Sequence, residues 1–232
     1  MSGRRLVELS HPIRDGMVTY PGLPGPEISD HLSRAEAVAN YAEGTTFQIG
    51  RITMVSNTGT YLDTPFHRFE GGDDLSMMGL ERLADLEGVM IDASGRTTRT
   101  LDVDLLDGTE VAGRAVLLRT GWDRHWETDA YAVAAPFVTA DLGQALVDQG
   151  VALVGIDSVN IDDISPDSGG ERPVHTALLD AGIPIVEHLR GLEALPASGF
   201  RFHAAPPLVA GMGTFPVRAY AVVAGVAPDG ES

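Results

Sequence analysis

The chain contains no cysteine. That absence excludes a disulfide framework and a thiolate nucleophile, so any cation site must use His, Asp, Glu or neutral oxygen donors. Basic side chains are scarce as well: 16 Lys and Arg stand against 33 Asp and Glu, a formal charge of −17. Nucleic acid and anionic membranes reward basic patches, so neither is expected as a partner, and a small molecule is. No apolar run approaches bilayer-spanning length and the first residues lack a signal-type apolar core, which gives a cytoplasmic expectation. Gly-x-Ser-x-Gly elbows and glycine-rich phosphate loops are also missing, and Gly211-Met212-Gly213 is too short to carry meaning alone.

What remains is a chain of 232 residues, 44% hydrophobic and 21% charged, without repeats or low-complexity linkers. It reads as one globular domain over residues 1–232, of mixed α/β class. Strands are expected at Arg4–Leu9, Phe47–Val55, Gly88–Asp92, Arg114–Arg119, Ala152–Ile156, Pro184–Glu187 and Ala219–Gly225. Thr139–Gly150 reads as a helix capped by Thr139 and ended by Gly150. Pro173–Ala181 reads as a second, with Pro173 at its first position and Gly182 as the stop, and Leu80–Leu83 as a short third. The long connectors Asp123–Pro136 and Ser158–Arg172 have the length of binding loops.

The most informative stretch is Ser56-Asn57-Thr58-Gly59-Thr60-Tyr61-Leu62-Asp63-Thr64-Pro65-Phe66-His67. If it runs extended, Asn57, Gly59, Tyr61, Asp63, Pro65 and His67 share one face, a wall of donors, acceptors and an imidazole. Ser56 falls on the opposite parity from His67, which argues against a serine triad. Glu187 is a second anomaly: it ends the apolar run Ile183-Pro184-Ile185-Val186 in phase with Ile183 and Ile185. A carboxylate there has either reached water or is paired or coordinated. Twelve residues earlier, His175 sits in the first turn of the second helix.

At these residues the chain resembles the cyclase superfamily, whose signature is His-x-Gly-Thr-His-x-Asp-x-Pro-x-His. That group includes bacterial kynurenine formamidases, isatin hydrolases and some polyketide cyclases. Gly59, Thr60, Asp63, Pro65 and His67 match, while Asn57 and Tyr61 stand where the first two histidines would be. Further blocks keep their order: Val7–Gly16 with Tyr20-Pro21-Gly22, Arg119-Thr120-Gly121-Trp122, Gly155-Ile156-Asp157-Ser158, Pro173–Leu178 and Gly182–Leu189. The resemblance implies a swivelling three-layer β/β/α fold and a homodimer. It also implies metal ligation by Asp63, His175 and Glu187, with His67 in the place of the catalytic histidine. A first metal site would fall on Asn57, Tyr61 and Asp63, a set remodelled away from imidazole.

One His and two carboxylates suit a single divalent cation that polarises a carbonyl and activates water, with His67 as acid/base. The reading is a hydrolase of an amide, formamide, lactam or lactone, arylformamidase-like, with Mn²⁺ or Zn²⁺ as the cofactor. Tyr61 is either a functional replacement that donates to a developing oxyanion or a filler of the vacated half. The alternatives are a metal-free cyclase, dehydratase or isomerase using Asp63, His67 and Glu187, and a silent ligand-binding relative. Tyr20, Phe66 and Trp122 are candidates for an aromatic substrate wall. Asp157 is expected to cap nearby amides, His188 to face away from Glu187, and His31, His125 and His203 to have surface or structural roles, while His11 begins a Pro turn with no chemistry assigned to it.

Overall fold

The computed structural model describes residues 3–225. In chain order the first elements are β1 (Arg5–Glu8), β2 (Glu27–Leu32), α1 (Arg34–Asn40), β3 (Ile49–Thr53), β4 (Tyr61–Asp63), β5 (Leu86–Asp92), β6 (Thr100–Leu101) and β7 (Ala115–Arg119). There follow β8 (Phe137–Val138), α2 (Ala140–Asp148), β9 (Leu153–Ile156), α3 (Pro173–Asp180), β10 (Ile185–Glu187), β11 (Ser198–His203), β12 (Thr214–Pro216) and β13 (Tyr220–Val223). Nine strands make one sheet in the order β1-β13-β11-β5-β7-β9-β10-β4-β12. Its centre, β5-β7-β9-β10, is parallel, and β4 runs antiparallel to both β10 and β12. The class is mixed α/β, as the sequence led us to expect.

The central strands read as continuous apolar runs because both faces of the sheet are covered. On one face Leu117, Leu153 and Val186 pack with Leu62, Phe200 and Phe202. On the other, Val116, Leu118, Val154 and Ile156 lie under Leu142 and Leu146 of α2 and Val174 and Leu178 of α3. Each such fully buried aliphatic side chain contributes about 1.5–3 kcal/mol. α2 is capped by Thr139, whose side chain accepts from the Leu142 amide at 3.3 Å. The start of α3 is capped from a distance: the Asp162 carboxylate accepts from the amides of Val174 at 2.8 Å and His175 at 3.1 Å.

All seven expected strands are present, six of them trimmed at their ends and β5 begun two residues earlier, at Leu86. Leu80–Arg82 is a single 3-10 turn, not an α-helix, because Gly79 opens it and Leu83 leaves helical geometry at once. The sequence reading passed over α1, whose Ser33 and Glu36 form a reciprocal capping box. It also passed over β2, β11, β12 and the short β6–β8 pair. β2 pairs with β3 as a two-stranded antiparallel ribbon apart from the main sheet, exposed along almost its whole length, with Ile28, Ile49 and Ile52 open to solvent. Among the described residues no helix is long and apolar enough to cross a membrane.

Candidate active site

The site is built by strand register. Tyr61 and Asp63 are two apart on β4 and share a face. Across the antiparallel pairings, Tyr61 lies opposite Glu187 of β10, and Asp63 lies opposite Thr214 of β12. Directly opposed residues of antiparallel strands point to the same side, so these four polar side chains converge. The strand does not continue to His67, contrary to the extended reading. Pro65 starts a 3-10 turn that ends at His67, and the turn brings the imidazole back over the strand end. It packs against Gly213 so closely that a Cβ there would lie 2.1 Å from the His67 amide nitrogen. Gly213 also accepts from the Thr64 amide at 2.7 Å. Pro65 therefore turns the chain instead of extending the wall.

His67 and Asp63 are joined through Thr214. The Thr214 hydroxyl donates to Oδ1 of Asp63 and accepts from Nδ1 of His67 at 2.8 Å, which leaves Nε2 of His67 with its lone pair free. Sequence reasoning missed Thr214, and the only signal was its position directly after the glycine pair at 211 and 213. His175 enters from α3. Its Nδ1 donates to Asp162 at 2.6 Å, which leaves Nε2 facing the site, 3.7 Å from both Oδ2 of Asp63 and Oε1 of Glu187. A carboxylate behind a histidine in this way fixes the tautomer of a metal ligand.

The electrostatics reflect crowding. Burial and the neighbouring charge of Asp63 push the Glu187 carboxyl up to about 7, against the pull of His175. Burial opposes a charge on His175, but the bond to Asp162 and the charges of Glu187 and Asp63 prevail and raise it to about 10, so that without a cation Nε2 holds a proton that a bound metal would displace. Burial works against ionised Asp63 too, yet His175, His67 and Thr214 hold its carboxyl below the usual range. Oδ2 of Asp63 is buried and has no hydrogen-bond partner. An orphaned carboxylate oxygen facing the second nitrogen of an imidazole is the donor chemistry of a divalent cation site, so the residues present fit a metal. Ligand atoms of Asp63, His67 and His175 all lie within 4.8 Å of one another. Glu187 is placed beside His175, but both of its oxygens already accept hydrogen bonds, Oε1 from the Ile161 amide and Oε2 from Tyr61, each at 2.7 Å.

The half of the site without signature histidines is filled by a directed chain of hydrogen bonds. Tyr61 gives its hydrogen to Glu187, so its oxygen accepts from Nε2 of His188 at 3.2 Å. Nδ1 of His188 is then the acceptor for the Tyr131 hydroxyl at 2.9 Å. The expectation that His188 faces away from the site is corrected here. β10 ends at Glu187, and His188 takes a left-handed backbone with φ of 56°, which turns its ring toward Tyr61. Burial, with His11 nearby, keeps His188 neutral to about 3, and burial with the charges of Glu187 and Asp63 lifts the Tyr61 phenol well above its usual range.

A cavity of about 280 Å³ opens onto these groups. Tyr61, Asn160, His175 and Glu187 close its buried side, and Tyr20, Leu23, His67 and Arg172 its open side, with Asn57 between. Of the three aromatic candidates, Phe66 and Trp122 are absent from this wall. Trp122 is drawn instead into a side cluster by donating Nε1–H to the Tyr131 carbonyl at 2.7 Å, and Phe66 lies on the turn beside His67. Asp157 does cap amides, accepting from Thr120 at 2.7 Å and Gly121 at 2.8 Å, with burial raising its carboxyl to about 6. His203 stacks on Tyr220 and His31 meets Arg51 at the surface, while His11 is buried against Trp126.

A family model for Cyclase matches residues 7–163. The chain belongs to the Cyclase family. Among relatives of this family member, the kynurenine formamidase of Erythrobacter litoralis is 31% identical over 88% of each chain. A solved structure described as a potential metal-dependent hydrolase with cyclase activity superposes with a TM-score of 0.76 at 25% identity, covering 95% of this chain and 98% of that one. Isatin hydrolase A from Ralstonia solanacearum shares the fold, with a TM-score of 0.79 at 23% identity over 95% and 92%.

Proposed function

We propose that this Cyclase family protein is a metal-dependent hydrolase of an amide-type C–N bond, arylformamidase-like. The observation that carries the reading is the buried, unpartnered Oδ2 of Asp63 facing Nε2 of His175 at 3.7 Å. A divalent cation held by Asp63 and His175, with Glu187 completing the set, would polarise the scissile carbonyl and acidify water. His67 supplies the proton traffic: its Nδ1–H is spent on Thr214, so Nε2 takes a proton from water and returns it to the leaving nitrogen. Thr214 and Asp63 hold that tautomer and the ring plane. The kinship with kynurenine formamidases supports an aryl formamide as substrate.

One cation per chain, Mn²⁺ or Zn²⁺, is part of the proposal, because Asn57 and Tyr61 offer the first half of the signature no imidazole. So are a cytoplasmic location and a homodimer, the latter supported by the exposed apolar residues of the β2–β3 ribbon. Elemental mass spectrometry on protein purified without chelator tests the metal, alongside hydrolysis of formanilide. About one cation per chain, lost in Asp63→Ala together with turnover, is the expected result. Absence of metal after reconstitution removes the reading.

The Glu187 carboxyl, pushed up to about 7, favours a second reading. A buried acid that is part-protonated near neutrality is poised for metal-free acid–base chemistry of the cyclase, dehydratase or isomerase type. Turnover that survives chelation selects it.

A further inference from the structure

Arg172 is a cation without an anion. One guanidinium nitrogen is tied to two backbone carbonyls, Asp163 at 3.2 Å and Glu171 at 2.8 Å, which hold the group in place without neutralising it. The side chain of Asp163 is taken by Arg99 and Ser165. Among the described residues no carboxylate forms an ion pair with Arg172, in a chain where acidic residues outnumber basic ones by 33 to 16. Arg172 is half-buried and forms part of the wall of the cavity that contains His67, His175 and Glu187, next to Tyr20. A fixed, half-desolvated guanidinium in a site wall, its remaining N–H groups unspent on protein carboxylates, is built to receive an anion.

We propose that Arg172, with Tyr20 beside it, is the recognition site for a carboxylate on the substrate, so that the enzyme acts on amides that carry a single negative charge. The inference rests on the hydrolase reading above and names its substrate class. The planar fork suits a carboxylate, and the buried Glu187 on the other side of a cavity of only about 280 Å³ disfavours a more highly charged group. The carboxylate sits on Arg172 toward the open side, and the scissile amide lies between His67 and the buried wall of His175 and Glu187.

The test compares 2-formamidobenzoate with formanilide, which differ by the carboxylate, in wild type, Arg172→Met and Arg172→Lys. Calorimetric titration with benzoate and benzamide supplies a readout independent of turnover, and circular dichroism checks folding. Wild type should prefer 2-formamidobenzoate, and Arg172→Met should raise its KM by about tenfold or more and erase most of that preference, with a smaller effect on formanilide. Arg172→Lys should recover part of the loss, and benzoate but not benzamide should bind wild type. Equal effects of Arg172→Met on both substrates overturn the proposal. If wild type hydrolyses neither compound, the hydrolase reading fails. The titration then decides Arg172 alone: benzoate binding lost in Arg172→Met supports the carboxylate site, and no binding to wild type overturns it.

Discussion

Tyr61 donates its phenolic hydrogen to Oε2 of Glu187 at 2.7 Å, across the pairing of β4 with β10 that sets the two residues opposite each other. The bond stands where the family signature would place a histidine, and it occupies one face of a buried carboxyl. Tyr61→Phe leaves that oxygen without a donor and also removes the acceptor for Nε2 of His188. The expected cost is about 1–3 kcal/mol in urea unfolding. Full turnover in this variant would make Tyr61 a support for Glu187 and remove it as a catalytic acid.

His67 has two possible duties, and one variant separates them. His67→Gln should lower kcat by about 10²–10⁴-fold with metal content unchanged, as expected for a lost acid/base. Loss of the metal as well would make His67 a ligand, in keeping with its grouping with Asp63 and His175. Elemental analysis and turnover measured on the same preparation distinguish the outcomes.

His188 makes stability depend on pH. In the folded chain it stays neutral down to about 3, while an unfolded histidine titrates near 6.5. Its contribution is thus complete above about pH 6.5 and is lost as pH falls, at about 1.4 kcal/mol per unit, until the folded value is reached. In His188→Gln, which keeps an amide donor for Tyr61, this dependence is absent. The stability gap between wild type and variant should narrow as denaturation is repeated from pH 7 to pH 5.

Gly213 holds the space into which the turn of His67 fits. Gly213→Ala places a methyl 2.1 Å from the His67 amide nitrogen, against backbone that cannot yield as a side-chain tip would. The strand or the turn must shift, at about 1–3 kcal/mol. Because the displaced turn carries His67, turnover should fall more than thermal stability does, and assays of both on Gly213→Ala check this.

Much of this arrangement was legible in the sequence. The central strands were readable because β7 and β9 are unbroken apolar runs, and α2 because Thr139 and Gly150 mark its ends. Ribbon strand β2 was not, since Glu27–Leu32 faces water and has no buried period to betray it. At the site, Glu187 stood out as a carboxylate on an apolar run, whereas Asp63 and His175 became candidate ligands only through the resemblance to the family signature. Thr214 did not, because a threonine on a short strand is unremarkable until pairing sets it opposite Asp63. The orientation of His188 was misread because strand parity was extended past Glu187, where a positive φ ends it. Arg172 drew no notice either, since what distinguishes it is the absence of a partner in space.

Thr214 lies far along the chain from the two residues it connects. Asp63, His67, His175 and Glu187 have all been synthesised before the hydroxyl that joins Asp63 to His67 exists. A nascent or truncated chain ending before β12 can carry every candidate ligand and still lack the bridge that orients the imidazole. Competence is therefore timed to the arrival of an edge strand, and onset of turnover during refolding would serve as a clock for the docking of β12.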